Sequence, residues 1–350
     1  MRYTPFAEIN LRDTFFDTLR DSYAEFDDWF SRKAAAGESA YVLPNPQGEL
    51  DAFLYLKIEN EAVIDIEPNL PEGIKVKVGT LKVNPHGTRL GERLVKKIFD
   101  YAVVNNADSV YVTVFDEHEA LIELLCRYGF DEYGIKVTAN GTEHVLVKNM
   151  RIIRDNILLD YPMIDVRGRN KFALSIYPEF HTRLFPDSIL NNEHYDIITD
   201  ISPTNSIHKT YICYMGDVVN LHANDIVLIY RTSDGQGPAR FRSVITSICV
   251  VQEVLTRGSF ENEDHYVEYC RRNSIFAEAD LRKWYRRSGN LFVIKMTYNA
   301  AFRRRVTNGT LIDTVRLNPN YWGFFRVSDE QFNQIINLGG VYENLIIDQA

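Results

Sequence analysis

The chain has 350 residues, of which 45% are hydrophobic and 25% are charged, shares typical of soluble globular proteins. This composition excludes a disordered or fibrous chain, and the length, about twice that of an average domain, predicts two domains. No apolar run approaches the roughly 20 residues that cross a bilayer, so we expect no membrane partner.

The first 20 residues contain acids and lack an apolar core, so we expect no signal peptide. The four cysteines are far apart and include no C-x-x-C pair, which argues against a zinc ribbon and a disulfide framework. His181 lies near Glu179 and Asp187 but has no second histidine or cysteine at ligand spacing. We therefore expect a reducing, cytoplasmic location, a structural His181 and no metal.

The net charge of -9 is unevenly distributed along the chain. Residues 1–150 hold 16 Lys and Arg against 25 Asp and Glu, whereas residues 151–350 hold 23 of each kind. Residues 271–326 contain 12 basic residues and only three acids. This local excess indicates a surface for an anionic partner, with a solvated basic face as the alternative.

The first 150 residues alternate between predicted helices and strands. In chain order, the pattern predicts one or two helices in FFDTLRDSYAEFDDWFSRKAAAG and then strands in SAYVL, LDAFLYLKIE and IKVKVGTLKV. An amphipathic helix follows from Leu90, and then come the strand SVYVTVF, the helix HEALIELLCRYGF and a hairpin of DEYGIKVT with TEHVLVKNM. Strand, helix and strand in this order predict a crossover unit with parallel pairing.

From about Arg151 the pattern changes to shorter strands and more turns. The best local case is the pair of strands on either side of the turn Ser-Asp-Gly-Gln-Gly-Pro. Further strands are predicted in KFALSIYPEF, LFVIKMTYN and YWGFFRVS, with helices near residues 277–287 and after the start signal at Ser328. These elements predict a small mixed barrel with covering helices.

Residues 80–102 predict a strand, a turn with two glycines and an amphipathic helix. Such a turn presents backbone N–H groups and the positive end of the helix dipole, which suit a diphosphate. Gly87 and Gly91 permit close backbone approach, and Arg89, where glycine would be preferred, adds a charge for a phosphate. The alternative is an ordinary turn before an amphipathic helix.

This run, with the later segments SVYVTVF and ALIELLCRYGFDEYG, resembles the GNAT superfamily of acetyltransferases over nearly all of residues 1–150. The resemblance implies an α/β fold with a mixed, twisted sheet and helices on both faces, and acetyl-CoA as co-substrate. It also implies that the strand edge at Leu81 and Val83 pairs with pantetheine. The family signature Arg/Gln-x-x-Gly-x-Gly/Ala, which would hold the pyrophosphate, falls on His86, Gly87, Thr88, Arg89, Leu90 and Gly91.

The sequence also departs from the family pattern. His86 replaces the Arg or Gln of the signature, and Arg89 replaces its middle glycine. In the segment that resembles N-x-x-A-x-x-F-Y-E-K-L-G-F, Gly129 and Phe130 match, but Leu125 takes the tyrosine position. In many family members that tyrosine protonates the leaving thiolate, which a leucine cannot do.

Acetyl transfer needs a neutral amine, so an ammonium group with a pKa near about 10.4 requires a base or a water chain. The candidate catalytic residues are Glu72, His118 and Tyr128. Glu72, with Asp65 and Glu67, is a candidate base just before a strand, or a solvated loop acid. His118 takes the asparagine position of the family segment and is a candidate acid or base, or a polar helix start. Tyr128, one turn beyond the tyrosine position, is a substitute acid or a core residue.

The segment IHKTYICYMGDVVNLHANDIVLIYRTSDG, followed by ARFRSVITSICVVQEV, resembles the PUA-like superfamily, including its ASCH and EVE branches. The resemblance rests on strand order over roughly residues 170–340. It implies a small β-barrel with covering helices that holds RNA or a modified base. The expected organisation is a GNAT-like acetyl-CoA-binding domain at 1–150, a linker at 151–169 and a PUA-like domain at 170–350.

RNA binding needs basic side chains for the phosphates and aromatic side chains for stacking. On the helix near residues 277–287, Trp284 and Tyr285 share the side that faces the core, which leaves the basic residues outward. The candidate RNA-binding residues are Arg282, Lys283 and Arg286 on this helix, and Lys209, Tyr211 and Arg231 where predicted strands meet.

Together these patterns predict an N-acetyltransferase that moves an acetyl group from acetyl-CoA to an amine, with RNA brought by the second domain. The acceptor would be an amine on RNA, on charged tRNA or on an RNA-associated protein. Two alternatives remain: a catalytically degenerate GNAT scaffold coupled to a nucleic-acid reader, and a GNAT-type toxin that acts on aminoacyl-tRNA.

Overall fold

The computed structural model describes residues 1–45, 47–190, 193 and 200–348. The chain divides into two compact units, Met1–Asp160 and Tyr161–Ala350. Within the described residues, no helix combines the length and the apolar character that crossing a membrane requires.

The first unit is built on a seven-stranded sheet with the order β1-β2-β3-β4-β5-β7-β6. Its strands are β1 Arg2–Pro5, β2 Ser39–Pro44, β3 Leu50–Glu59, β4 Lys75–Val83, β5 Ser109–Phe115, β6 Asp131–Thr138 and β7 Gly141–Asn149. Its helices are α1 Asp17–Ser22, α2 Phe26–Ala35, α3 Leu90–Val104 and α4 Glu119–Arg127. Strands β4 and β5 pair in parallel and the other neighbours pair antiparallel.

Different helices cover the two faces of this sheet. On one face, aromatic residues of the N-terminal segment, including Phe16 of the turn before α1 and Phe30 of α2, pack against Phe53 and Tyr55 of β3. Alternate residues of a strand point to opposite faces, so Leu54 turns to the other side, where α3 packs against β3 and β4. The apolar stripe of α3 is buried there, as its 3.6-residue period dictates. Two charged residues of the helix, Glu92 and Lys96, are buried as well.

The second unit contains a six-stranded sheet with the order β10-β13-β12-β11-β9-β14 and a two-stranded sheet of β8 and β15. The strands are β8 Ile164–Asp165, β9 Lys171–Ile176, β10 His208–Cys213, β11 Ile226–Arg231, β12 Val244–Thr256, β13 Phe292–Thr307, β14 Phe324–Val327 and β15 Ile346–Ile347. The helices are α5 Pro178–Leu184, α6 Ser202–Asn205, α7 Ala239–Arg242, α8 Glu263–Arg271, α9 Glu278–Arg286, α10 Asn308–Asp313 and α11 Asp329–Gly339.

Two long strands dominate the second unit, because β12 and β13 have 13 and 16 residues and pair along most of their length. Their register shifts at three places, and such bulges bend and twist a strand pair. The bent pair wraps a core of aliphatic and aromatic side chains on one side of the sheet, which α8 and α9 complete with Tyr266 and Leu281.

The predicted mixed α/β class is confirmed, with helices on both faces of the first sheet and covering helices in the β-rich second unit. The predicted parallel pair is β4 with β5, and the predicted hairpin is β6 with β7. The start signal at Ser328 caps α11, since Ser328 and Gln331 exchange hydrogen bonds with each other's backbone. One strand prediction is partly wrong: KFALSIYPEF leaves the sheet at Ile176, and Pro178 begins α5 because proline suits the first turn of a helix.

Candidate functional site

A cleft opens in the first sheet where β4 and β5 separate. The two strands pair from Lys75 with Ser109 to Val78 with Val112, although β4 continues to Val83. The resulting β4/β5 cleft has a volume of about 350 Å³. Consecutive residues of both strands line it: Val78, Gly79, Thr80 and Leu81 of β4, and Val112, Thr113 and Val114 of β5. Since consecutive side chains point to opposite faces, the cleft is bordered from both sides of the sheet.

Gly79 of β4 lies at the point where β4 and β5 separate. A Cβ atom on Gly79 would lie 2.7 Å from Cδ1 of Tyr55, whose ring packs over the strand. The register of β3 against β4 also shifts between Tyr55 and Leu56. Any larger residue at position 79 would therefore displace the ring that forms one wall of the cleft.

Beyond the cleft, β4 runs into the glycine-containing turn and α3. Gly87 has a φ of 79°, and a Cβ atom built on it would meet open space. Arg89 is the N-cap of α3 with a φ of 55°. Left-handed backbone costs a non-glycine residue roughly 1–2 kcal/mol, which explains why glycine is the common residue at this position of the signature. The Arg89 guanidinium lies at the helix N-terminus, 3.9 Å from the carboxylate of Glu92.

The other predicted phosphate residues surround the same helix start. Thr88 Oγ1 lies 3.1 Å from Nδ1 of His86, whose Nε2 lies 3.3 Å from a carboxylate oxygen of Asp51. Leu90 is buried beneath the turn. Gly91 has a packing role, since a Cβ atom there would lie 3.0 Å from Cδ2 of Leu124 in α4.

The predicted pantetheine residues lie on the separated end of β4. Leu81 borders the cleft, and Val83 is the half-buried last residue of the strand. All eight predicted cofactor residues therefore follow one continuous path from the cleft to the first turn of α3.

Glu143 of β7 is a carboxylate that the sequence analysis missed. Its side chain lines the cleft although the residue is only 4% exposed. Its Oε1 accepts hydrogen bonds from Tyr23 Oη at 3.0 Å and from Thr113 Oγ1 at 3.2 Å. Burial and then the charge of Glu143 raise the pKa of Tyr23, so its hydroxyl keeps its proton and holds the carboxylate in place. The sequence could have indicated this buried acid, because Glu143 alternates with Val145 and Val147 on the inward side of one strand.

Of the three predicted catalytic residues, His118 lines the cleft and the other two do not. His118 is exposed at the start of α4, with Nε2 3.8 Å from a carboxylate oxygen of Glu117. Glu72 is exposed seven residues before Gly79, about 23 Å away along an extended chain. Tyr128 is fully buried, and burial, followed by the nearby charge of Glu92, raises the pKa of its hydroxyl.

In the second unit, two of the predicted pocket residues are buried in internal contacts. Lys209 is fully buried, and its Nζ donates hydrogen bonds to the carbonyl oxygens of Pro203 and Thr204. Arg231 is buried against Glu193, with Nη2 2.9 Å from Oε1. These contacts hold the two cations within the fold and leave neither at the surface.

The predicted basic helix face is largely neutralised. Arg282 forms ion pairs with Glu263, Asp264 and Glu278, and Arg286 also binds Glu263. Lys283 is exposed. The sequence count included Glu278 but not Glu263 or Asp264, because these two acids belong to the start of α8, before the basic stretch.

Tyr211 lines a cavity of about 850 Å³, half of whose lining residues are aromatic, and we name it the aromatic cavity. Eight aromatic side chains border it: Tyr177, Phe180, Tyr211, Tyr214, Phe276, Trp284, Tyr321 and Trp322. Tyr177 and Tyr321 are 62% and 58% exposed. Arg287, another lining residue, places its guanidinium 4.6 Å from the centre of the Tyr214 ring. The sequence analysis assigned Trp284 to the core, but it contributes to both the core and the cavity.

His181 is structural in its contacts, as it is fully buried and its Nε2 lies 2.8 Å from Oγ1 of Thr246. Burial, with the charges of Arg231 and Arg305, lowers the pKa of His181 to about 3. The imidazole is therefore neutral in the folded protein.

No known family and no curated protein sequence matches the chain. Solved structures do resemble parts of it. An ASCH protein from Zymomonas mobilis is 9% identical, with 48% of this chain and 94% of that chain covered and a TM-score of 0.33.

Two acyltransferases are also similar. A spermidine N-acetyltransferase from Vibrio cholerae is 16% identical, with 36% of this chain and 75% of that chain covered and a TM-score of 0.26. A Klebsiella pneumoniae protein described as an acyl-CoA N-acyltransferase is 17% identical, with 42% and 96% covered and a TM-score of 0.28. At these TM-scores the likeness decides no function, and the geometry of the two cavities is the basis for the proposals that follow.

Because His181 is buried in its neutral form, we expect the folded protein to lose stability in acid. Below pH 6.5 the unfolded chain binds a proton that the folded protein excludes, so the free energy of unfolding falls as the pH drops from 6.5 toward 3. We expect the loss to approach about 4 kcal/mol for this group, and His181→Gln, which is neutral throughout, to remove that part of the pH dependence. Urea unfolding at pH 8, 6 and 4 measures it, and equal pH slopes for both proteins would contradict the assignment.

Proposed function

We propose that the first unit is an N-acetyltransferase that uses acetyl-CoA. The observation that carries the proposal is the β4/β5 cleft, which combines the separated stretch of β4 with a buried carboxylate. From this cleft β4 leads on to a phosphate-suited turn at the start of α3. None of these features alone would indicate acyl transfer. In combination they provide a place for the nucleotide end, the thioester arm and the attacking amine.

The residues present fit coenzyme A. The N-terminus of α3, a helix of 15 residues, carries a partial positive charge, and the Arg89 side chain adds a full one beside it. Residues 79–83 offer strand backbone to an extended, amide-containing arm, because β5 has turned away from this part of β4 in the described structure. Gly79 allows the Tyr55 ring, one wall of the cleft, to pack directly on this strand.

Glu143 is the proposed base. The amine must lose a proton before it can attack the thioester carbonyl, and Glu143 is a cleft-lining carboxylate held by two hydroxyl donors. Tyr23 and Thr113 act as positioning residues, because they fix the carboxylate without taking the proton themselves. Backbone N–H groups at the start of the separated stretch of β4 are suited to the developing oxyanion.

The leaving thiolate does not require an acid from α4. Leu125 is buried and has no proton to donate. A thiol has a pKa near about 8.5, so a thiolate can take its proton from water at little cost. Position and orientation in the cleft then supply most of the rate enhancement.

We further propose that the second unit binds single-stranded RNA at the aromatic cavity. Unpaired bases stack on aromatic rings, at about 1–3 kcal/mol per base, and the exposed rings of Tyr177 and Tyr321 are accessible for such stacking. Arg287 provides a positive charge for the phosphates of the RNA backbone. This site replaces the predicted face of Arg282 and Arg286, whose charges are paired with acids. The acetyl acceptor would then be an amine on the bound RNA, on charged tRNA or on an RNA-associated protein.

Two substitutions separate cofactor binding from chemistry in the first unit. We expect Glu143→Gln to slow acetyl transfer about 100-fold with unchanged affinity for coenzyme A, because it removes only the proton acceptor. Arg89→Ala should weaken coenzyme A binding about fivefold, since one charge-assisted phosphate contact is lost.

The assay uses radiolabelled acetyl-CoA with separate pools of aminoacyl-tRNA, bulk RNA and peptides, and calorimetry gives the affinities. Coenzyme A binding without label in any pool would identify a non-catalytic reader instead.

The RNA site is tested by substitution at its rim. Tyr321→Ala should weaken binding of a labelled single-stranded RNA at least about fivefold, as the loss of one stacking platform implies. Arg282→Ala is the matched control, and we expect it to leave the affinity unchanged because three carboxylates already hold that arginine. Fluorescence anisotropy measures both affinities. Weaker binding by Arg282→Ala with unchanged binding by Tyr321→Ala would contradict the cavity site and indicate that RNA binds the α9 face instead.

A further inference from the structure

Lys77 is the lysine of the β4/β5 cleft nearest to the point where the strands separate. It lies two residues before Gly79 and therefore on the same face of β4. It stands opposite Lys57 of β3 and Tyr111 of β5, and it lines the cleft. Two residues of strand span about 7 Å, a distance that the flexible four-carbon side chain of lysine can cover.

The surroundings of Lys77 differ from those of the other lysines that line the cleft. Lys57 lies 3.1 Å from Glu59, Lys136 lies 2.6 Å from Asp65, and Lys33 lies 3.7 Å from Glu38. Each of these three ammonium groups therefore forms an ion pair with a carboxylate.

Within the part of the chain that the structure describes, Lys77 Nζ has no carboxylate oxygen within 4.0 Å. The ring of Tyr111 lies beside it, with 5.6 Å from Nζ to the ring centre. The Tyr111 hydroxyl donates a hydrogen bond of 2.5 Å to Glu59. Lys77 is therefore the cleft lysine whose nitrogen is least held by an acid.

Burial lowers the pKa of Lys77, although the charge of Glu59 acts in the opposite direction. A larger fraction of the amine is then neutral, which is the form that attacks a thioester.

We propose that Lys77 is a self-acetylation site: its Nζ accepts the acetyl group of acetyl-CoA bound in the β4/β5 cleft. The proposal rests on the proposed acetyltransferase function and adds a second acceptor, which belongs to the protein itself.

The reaction balances without a further reagent. The Lys77 ammonium releases one proton to solvent, and the neutral nitrogen attacks the thioester carbonyl carbon. An N–C bond forms, the C–S bond breaks, and the amide nitrogen loses its second proton as the coenzyme A thiolate gains one. The products are acetyl-Lys77, coenzyme A and one proton.

Acetylation would replace a half-buried charge in the cleft by a neutral amide. Such a group is easier to bury than an ammonium that forms no ion pair within the described residues. Its bulk would lie at the place where the acyl arm and an external amine must meet, so the modified protein should transfer acetyl groups to external acceptors more slowly.

The test uses the full chain and acetyl-CoA with no other acceptor. We expect intact-mass spectrometry to show one added acetyl group per chain, and peptide mapping to place it on Lys77. The rate constant should not change when the protein is diluted, because the reaction occurs within one molecule. Lys77→Arg should abolish the addition, whereas Lys57→Arg, a substitution directly opposite on β3, should leave it unchanged.

Coenzyme A affinity of both variants, measured by calorimetry, separates the possible failures. Binding of coenzyme A by the wild type without acetyl-Lys77 would overturn the self-acetylation site and leave the proposed acetyltransferase standing. No binding at all would overturn both. Equal labelling of Lys57 and Lys77 would show unspecific chemical acetylation by acetyl-CoA. A rate constant that falls in proportion to dilution of the protein would show transfer from one molecule to another. Either result would overturn the site.

Discussion

The separation of β4 and β5 after four paired residues is the constraint on which the rest of the first unit depends. A parallel pair that continued to Val83 would satisfy its own backbone groups and leave no space inside the sheet. Because the strands part at Gly79, with the Tyr55 ring packed over it, the sheet keeps an opening lined by side chains of both faces. The same strand then reaches the turn before α3, so the opening and the helix N-terminus are joined by one short stretch of backbone.

Pairing of charges within each unit decides which groups remain available for chemistry or binding. In the first unit, Lys57 and Lys136 are each held by an acid, while Lys77 lies against a ring. Glu143 shows the converse, since neutral hydroxyls rather than cations hold its carboxylate. In the second unit, acids of α8 take up the arginines of α9, and the aromatic cavity becomes the better place for a ligand.

Much of this could be predicted from local sequence. The period of α3, the alternation in β4 and the position of the glycine turn depend on neighbouring residues, and the structure has each of them where the sequence places it. Contacts between distant residues could not be predicted in the same way. Tyr23 and Glu143 meet only because α1 leads the chain over β7, and Arg282 is neutralised by Glu263 from another helix. A count of basic residues along a segment does not show which of them have acidic partners. Likewise, the presence of an acid in a predicted strand does not show whether its side chain faces a cleft.

Hydrogen–deuterium exchange of the full chain, with and without coenzyme A, tests the central claim most directly. The account predicts slower exchange at the backbone amides of residues 79–83 and 88–92, where the arm and the phosphates would bind, and unchanged exchange in β1 at the far edge of the sheet. Protection confined to the second unit, or no protection at any concentration of coenzyme A, would contradict it.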